Sequence, residues 1–350
     1  MKEIQINTDS PYTVYIGAGL LNHLDGYIKR LKQRPENVMI VTDTTVGALY
    51  AEQTVNALKR SFKVQVYTVP DGESNKTPDV LFGILRALAQ QKMTRSDLVL
   101  ALGGGVVGDM AGFAAAVYQR GIRFIQCPTT LLSAVDASVG GKTAVDLPEG
   151  KNLIGAFHQP SLVVCDTDVF KTLPEVRFAD GAAEMIKHAV ISDAGLFNAL
   201  STIRWRQDIE STVARNVEIK RSFVIGDECD KGKRQILNFG HTIGHAIEAW
   251  SGFSINHGQA VAIGMVMETR AARRLGFTRM DENDLIPVIQ KNGLPVETDA
   301  ALNDILHFAL HDKKRNDTGV TVVIPEMIGK TRLMSIDMDV FECFIEAAGR

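Results

Sequence analysis

Leu98-Val99-Leu100-Ala101-Leu102-Gly103-Gly104-Gly105-Val106-Val107-Gly108 runs from an unbroken apolar stretch into a G-x-G-x-x-G turn and then into a helical pattern that starts with Asp109. A short apolar run closed by glycines reads as a strand buried on both faces, the type that parallel sheets use. Because the turn follows a strand and opens a helix, its amides can face a pyrophosphate. It follows a late strand, however, and no acidic residue stands about 20 positions further on to hold a ribose. Taken alone it fits a tight strand-to-helix connection equally well. Asp109 places a carboxylate in the first helical turn, where the helix dipole favours it.

Outward from this stretch, runs 38–42, 64–69, 124–127 and 162–165 repeat the strand pattern with helical periodicity between most of them. Together with 98–102 they predict an α/β fold, an N-terminal Rossmann-like, doubly wound sheet. Segments 4–7 and 12–16 alternate around Asp9-Ser10-Pro11 and predict an opening hairpin. Ligands of open parallel sheets gather at the carboxyl ends of strands. Those ends carry Asp43, Asp71-Gly72-Glu73, the glycine turn with Val106, Val107 and Gly108, and Pro128-Thr129-Thr130. Past Thr172-Leu173-Pro174 helical periodicity takes over until about Asp312, so two domains are expected, 1–173 and a mostly helical 174–350. A late hairpin around Gly329 and a last helix from Asp337 close the chain.

A chain of 350 residues exceeds the usual size of one core, in keeping with two domains. Its net charge of −3 argues against nucleic acid or a membrane surface as the main partner and favours small-molecule chemistry. Met1-Lys2-Glu3-Ile4-Gln5 lacks the apolar core of a signal peptide, and no stretch approaches 18 uninterrupted apolar residues, so a cytoplasmic location is expected. Cys127, Cys165, Cys229 and Cys343 show no paired spacing and read as reduced thiols.

The second half carries the metal-type chemistry. In Asn238-Phe239-Gly240-His241-Thr242-Ile243-Gly244-His245-Ala246-Ile247-Glu248, two histidines four apart share a helix face bordered by Ile243, Ala246 and Ile247. Near-buried imidazoles need polar partners, and this spacing suits a metal or an anion. His257 follows, just before the apolar run 260–267. Upstream, Ala182-Ala183-Glu184-Met185-Ile186-Lys187-His188-Ala189-Val190-Ile191 is apolar almost all round and predicts a buried helix. Its Glu184 either pairs along the helix with Lys187 or His188, or joins two of the histidines as the third ligand of an open zinc-type site. Anion donors are plentiful: Lys142 in Gly140-Gly141-Lys142-Thr143, Lys151-Asn152 in a glycine-rich turn, then Lys220, Arg234 and Asn238. The Lys142 stretch resembles the tail of a phosphate loop, but the leading glycine of a nucleotide triphosphatase is missing.

In order and spacing these motifs together resemble the 3-dehydroquinate synthase family over nearly the whole chain. The runs that carry the likeness are Gly103 to Asp109, Pro128-Thr129-Thr130-Leu131-Leu132, Gly140-Gly141-Lys142-Thr143, Gly150-Lys151-Asn152-Leu153-Ile154-Gly155 and Asn238 to His245. The resemblance implies an NAD-binding domain, a helical domain, a Zn2+ or Co2+ site between them, and a homodimer. It implies that the metal ligands are Glu184, His241 and His257, with His245 on the substrate side. Cofactor positions carry over to Asp43, Glu73, Lys76, Gly104, Gly105, Asp109, Thr129, Thr130, Lys151 and Thr172. Substrate positions carry over to Asp136, Lys142, Asn152, Lys187, Lys220, Arg234, Asn238 and His245, with Lys313 or Lys314, and with Arg120 reaching a neighbouring subunit. The implied reaction converts 3-deoxy-D-arabino-heptulosonate 7-phosphate to 3-dehydroquinate and phosphate, with NAD oxidising and later reducing the same carbon. A metal-dependent polyol dehydrogenase would share the plan but has little use for so many anion donors. A sister cyclase would differ only on the substrate side.

Overall fold

The computed structural model describes residues 1–313 and 319–349, the side chains of 311–313 excepted. They form two compact units, Met1–Leu173 with Val224–Cys229, and Pro174–Phe223 with Asp230–Arg350. The stretch 174–350 is therefore not one uninterrupted domain, because Val224–Cys229 clusters with the first unit. There Glu228 accepts the Asp9 N–H at 2.7 Å and the Gln159 amide at 2.8 Å. Contacts over such sequence separations leave no local pattern to read.

In the first unit, β1 (Lys2–Ile6) and β2 (Tyr12–Gly17) make the expected hairpin. After the short α1 (Leu24–Ile28) come β3 (Asn37–Asp43), α2 (Thr44–Leu58), β4 (Lys63–Val69), α3 (Pro78–Gln90), β5 (Leu98–Gly103) and α4 (Gly105–Val117). They are followed by β6 (Arg123–Pro128), β7 (Lys142–Leu147), β8 (Gly150–Phe157) and β9 (Leu162–Asp166). Seven strands join one sheet in the order β1-β2-β9-β6-β5-β3-β4, parallel except between β1 and β2. Counted from β3, the stretch β4-β3-β5-β6-β9 has the doubly wound order 2-1-3-4-5. The winding reverses between β3 and β5, and a crevice opens where their carboxyl ends diverge. This explains a glycine turn on a late strand: β5 flanks the reversal, opposite Asp43 at the end of β3.

Every residue of β5 is buried, as its unbroken apolar run requires. Each fully covered Leu or Val there contributes roughly 1.5–3 kcal/mol. Helix α3 begins at the Thr77 cap with Pro78 in its first turn, and buries Leu81, Ile84, Ala87 and Leu88 at helical spacing against the same core. The glycine-rich stretches expected to hold Lys142 and Lys151-Asn152 in turns are instead two paired strands, because β7 and β8 form an antiparallel ribbon with Lys142 opposite Phe157. The outer ribbon strand exposes Leu153, Ile154 and Phe157 and so lacks the in–out alternation by which a strand is recognised.

The second unit is mostly helical: α5 (Glu175–Ser192), α6 (Ala194–Leu200), α7 (Ile209–Val224), α8 (His241–Trp250), α9 (His257–Arg274), α10 (Ile286–Lys291) and α11 (Leu302–Lys313). The hairpin β10 (Val320–Met327) with β11 (Lys330–Ile336) and the last helix α12 (Met338–Ala347) complete it, as expected. Helix α5 is buried without a break over 179–191. Ile243, Ile247, Ile263, Ile305, Phe341 and Phe344 form the core on which α8 and α9 rest.

Candidate active site

Three helices of the second unit meet at Glu184, His241 and His257. Two glycines permit it. A Cβ on Gly264 would lie 1.9 Å from the Gly240 carbonyl oxygen, and one on Gly258 would lie 2.4 Å from the Asp180 Cα. Only glycine allows backbones so near, and the result sets the start of α8 against the middle of α9 and the first turn of α9 on α5. The buried Glu268 carboxylate then fixes the start of α8, accepting the N–H groups of Gly240 at 2.8 Å and Ile243 at 3.1 Å.

Potential ligand atoms of Glu184, His241 and His257 all lie within 4.8 Å of one another. Glu184 Oε1 is 3.4 Å from His241 Nε2 and 3.2 Å from His257 Nε2, and Glu184 Oε2 is 2.5 Å from Lys187 Nζ. Glu184 thus pairs along its helix through one oxygen and faces both histidines through the other. Each imidazole engages Nδ1 elsewhere: His241 with the Phe239 carbonyl at 3.1 Å, His257 with Glu248 Oε1 at 2.8 Å. An oxygen acceptor at Nδ1 requires the proton there and leaves the Nε2 lone pair for a cation. Two such nitrogens and one carboxylate fit a zinc or cobalt ion with an open position.

Electrostatics agree with that fit. Burial disfavours charge on Glu184, but Lys187 and His241 outweigh it and hold its pKa well below the carboxylate range. Burial, with the Lys187 charge beside it, also lowers the pKa of His241. For His257 burial is overcome by hydrogen bonds to Glu184 and Glu248, which raise its pKa to about 10. Two carboxylates around one imidazole demand a positive charge, and a divalent cation answers the same demand as a proton. His245, expected near buried ground, is exposed, its ring 5.2 Å from that of His241. With Glu248 and His257 it forms a second, more open group of possible ligands.

In the first unit most expected cofactor residues line the carboxyl edge of the parallel strands. Asp43 caps α2 through the N–H groups of Thr45 and Val46. Thr45 Oγ1 donates to Asp71 Oδ2 at 2.7 Å, and Gly72 leads into the turn that carries Glu73. Gly104 starts α4, Gly105, Val106, Val107 and Gly108 form its first turn, and Thr129 N–H bonds the Gly103 carbonyl at 2.9 Å. Thr130 Oγ1 accepts from Ser133, and Thr172 Oγ1 lies 2.5 Å from the Tyr50 hydroxyl. A charged knot stands beside the turn: buried Lys76 donates to Asp109 Oδ2 at 2.7 Å and to Asn152 Oδ1 at 2.6 Å. Burial raises the pKa of Asp109 and Lys76 opposes it. Lys151 Nζ is 3.7 Å from Glu73 Oε1.

Asp136 lies in a helical turn after β6, half-buried, and Lys142 is exposed at the start of β7. Arg120 follows α4 with a left-handed φ of 63°. In the second unit Lys187, Lys220 and Arg234 are buried; as isolated surface charges the last two would have been misread. Asn238 ends the turn before α8. Lys313 ends α11, and Lys314 lies outside the described residues. Sequence reasoning missed Glu248, Glu268 and Asp146, which accepts the Asn152 N–H at 2.7 Å. Each is an ordinary carboxylate whose partner is set by tertiary packing; only the seven-residue step from His241 to Glu248, two helical turns, could have flagged one of them.

A doubly wound parallel sheet with a glycine turn at its reversal has the plan of a dinucleotide-binding unit, and the Glu-His-His cluster of the helical unit could hold a divalent metal. Residues 66–180 match the family model described as 3-dehydroquinate synthase N-terminal, and 181–315 the one described as 3-dehydroquinate synthase C-terminal. The chain belongs to the 3-dehydroquinate synthase family. A 3-dehydroquinate synthase of Enterococcus faecalis (strain ATCC 700802 / V583) is 40% identical over 346 residues, covering 97% of this chain and 96% of that protein. Among solved structures, 2-deoxy-scyllo-inosose synthase complexed with carbaglucose-6-phosphate, NAD+ and Co2+ matches at a TM-score of 0.88 and 26% identity, over 98% of this chain and 99% of that one. The 2-epi-5-epi-valiolone synthase of Streptomyces hygroscopicus subsp. jinggangensis 5008, with NAD+ and Zn2+ bound, matches at 0.86 and 26%, over 99% and 96%. No helix among the described residues is long and apolar enough to cross a membrane.

Proposed function

We propose that the chain converts 3-deoxy-D-arabino-heptulosonate 7-phosphate to 3-dehydroquinate and inorganic phosphate. The sequence of oxidation, phosphate elimination, reduction, ring opening and intramolecular aldol closure leaves no net redox change. The observation that carries this reading is the setting of the Glu184, His241, His257 cluster: Lys187, Lys220 and Arg234, each at most 5% exposed, belong to the same unit. Lys187 pairs with Glu184, and the further buried cations Lys220 and Arg234 suit a carboxylated substrate, for which an alcohol dehydrogenase has little use.

When bound, NAD supplies a hydride acceptor that returns the hydride, and the divalent cation held by Glu184, His241 and His257 supplies Lewis acidity. On the cofactor side we assign Asp43, Asp71, Gly72, Glu73, Lys76, Gly104, Gly105, Val106, Val107, Gly108, Asp109, Thr129, Thr130, Lys142, Lys151 and Thr172. Lys220 and Arg234 take the substrate carboxylate; Lys142, Asn152, His245 and Arg120 take the phosphate. Asp136, Lys187, Asn238 and Lys313 complete the substrate contacts. Oriented in this way, the departing phosphate takes up the proton of the neighbouring carbon, so no protein base is needed, and the same grip fixes the conformer that closes the ring.

We assign a cytoplasmic homodimer in which Arg120 serves the neighbouring site. It lies beyond the end of the 13-residue α4, so the glycine turn of its own unit is about 20 Å away at 1.5 Å per residue. His158 Nε2 meets the Ile122 carbonyl at 3.0 Å, which ties the end of β8 to the Arg120 turn, and β8 exposes Leu153, Ile154 and Phe157 along its length. That exposed apolar edge supports a second copy as its cover. With the heptulosonate phosphate and catalytic NAD, the purified protein should release phosphate while absorbance at the NADH band stays flat. Stoichiometric NADH would reveal a dehydrogenase instead.

A further inference from the structure

Glu248 belongs to none of the roles assigned so far, yet it is only 2% exposed and its Oε1 lies 2.8 Å from His257 Nδ1. Helix α8 carries His241, His245 and Glu248 at steps of four and three, one face over two turns. Seven residues amount to about 10 Å of helix, too far for Glu248 to share an ion with the His241 end directly. It reaches instead the far side of the His257 ring, whose two nitrogens point to opposite carboxylates: Nε2 to Glu184 Oε1 at 3.2 Å, Nδ1 to Glu248. The two histidines of the cluster consequently differ in kind. His241 is backed by the neutral Phe239 carbonyl, His257 by a buried negative charge.

We propose that Glu248 is a positioning residue of the metal centre: it fixes the His257 tautomer and makes that imidazole the stronger donor of the pair. A carboxylate behind a ligating histidine orients the ring and raises its basicity, and losing such a partner typically lowers metal affinity 10–100-fold. The inference rests on the reading of Glu184, His241 and His257 as the ligands. Its rival is that Glu248 itself coordinates, through the neighbouring group His245, Glu248, His257.

The full-length protein is stripped of metal and titrated with Zn2+ against a chromophoric chelator; the same proteins loaded with Co2+ give a visible spectrum that reports coordination number and ligand strength. Variants are Glu248→Ala, Glu248→Gln and Glu184→Ala. For Glu248→Ala, zinc affinity is expected to fall 10–100-fold. Glu248→Gln keeps an oxygen acceptor without the charge, so its affinity should fall less, with the cobalt bands shifted in energy but still of the same coordination number. A Glu248→Gln protein indistinguishable from wild type in both readouts, with Glu248→Ala within twofold, would overturn the proposal while leaving the site reading intact. Full zinc affinity in Glu184→Ala together with its loss in both Glu248 variants would overturn the site reading and favour Glu248 as ligand. Glu248→Gln is nearly isosteric, so the comparison survives even if the alanine variant fails to fold.

Discussion

His241 and His245 stand four apart on one helix, and spacing alone would make them a ligand pair. Geometry divides them: His241 Nε2 is turned to Glu184, whereas His245 is exposed and His257 completes the cluster from α9. Losing one of three protein ligands should strip the metal, whereas losing a substrate contact should spare it and slow the chemistry. After identical dialysis, elemental analysis should find little metal in His241→Ala and His257→Ala, and near-full content with a reduced kcat in His245→Ala. A metal-depleted His245→Ala beside a metal-replete His257→Ala would reverse the assignment. Helical spacing could identify His241 as a candidate because periodicity reports neighbours on one helix. It could not select His257 over His245, because that depends on how α9 packs against α5, where Gly258 allows the close approach; the Asn256–Gln259 capping box starts the helix but does not place it.

Four of the five expected parallel strands, β3, β5, β6 and β9, were legible from their apolar runs, since a strand covered on both faces has to be apolar throughout, whereas the edge strand β4 is mostly exposed. The ribbon of β7 and β8 was not legible, because its outer face is exposed and its glycines imitate a phosphate loop. Between strands, one carboxylate sets where two of them start. Asp97 takes the Asn37 N–H at 2.9 Å at the head of β3 and the Thr94 N–H at 2.8 Å just before β5. Burial works against its charge, but these bonds outweigh it and the pKa is lowered. A lowered folded-state pKa means stability that is present above the unfolded value near 4 and is lost as pH falls through the folded value. Asp97→Asn turns an amide N–H toward backbone donors and should cost about 1–3 kcal/mol at neutral pH. Paired melts of wild type and variant should show the gap in midpoint narrowing as pH drops below about 4; a gap that widens in acid would sink this account.

For the assembled protein the informative residue is Arg120. If it completes the partner's site, Arg120→Met and His241→Ala should each be inactive alone, and mixing them under subunit exchange should restore activity. Random pairing gives heterodimers in half of the population with one intact site each, so about a quarter of wild-type activity is expected. No recovery after demonstrated exchange would place Arg120 in its own chain's site. Another property of the whole chain follows from the short segment Val224–Cys229. The backbone changes unit after Leu173, after Phe223 and again after Cys229. No single cut separates them. A gene fragment ending at Leu173 would encode every strand of the parallel sheet yet omit Glu228, the acceptor for Asp9 and Gln159. An ancestor assembled by simple end-to-end fusion would not have this thread, and a ribosome making the chain releases the final piece of the first unit only after the Pro174–Phe223 stretch of the second has been synthesised.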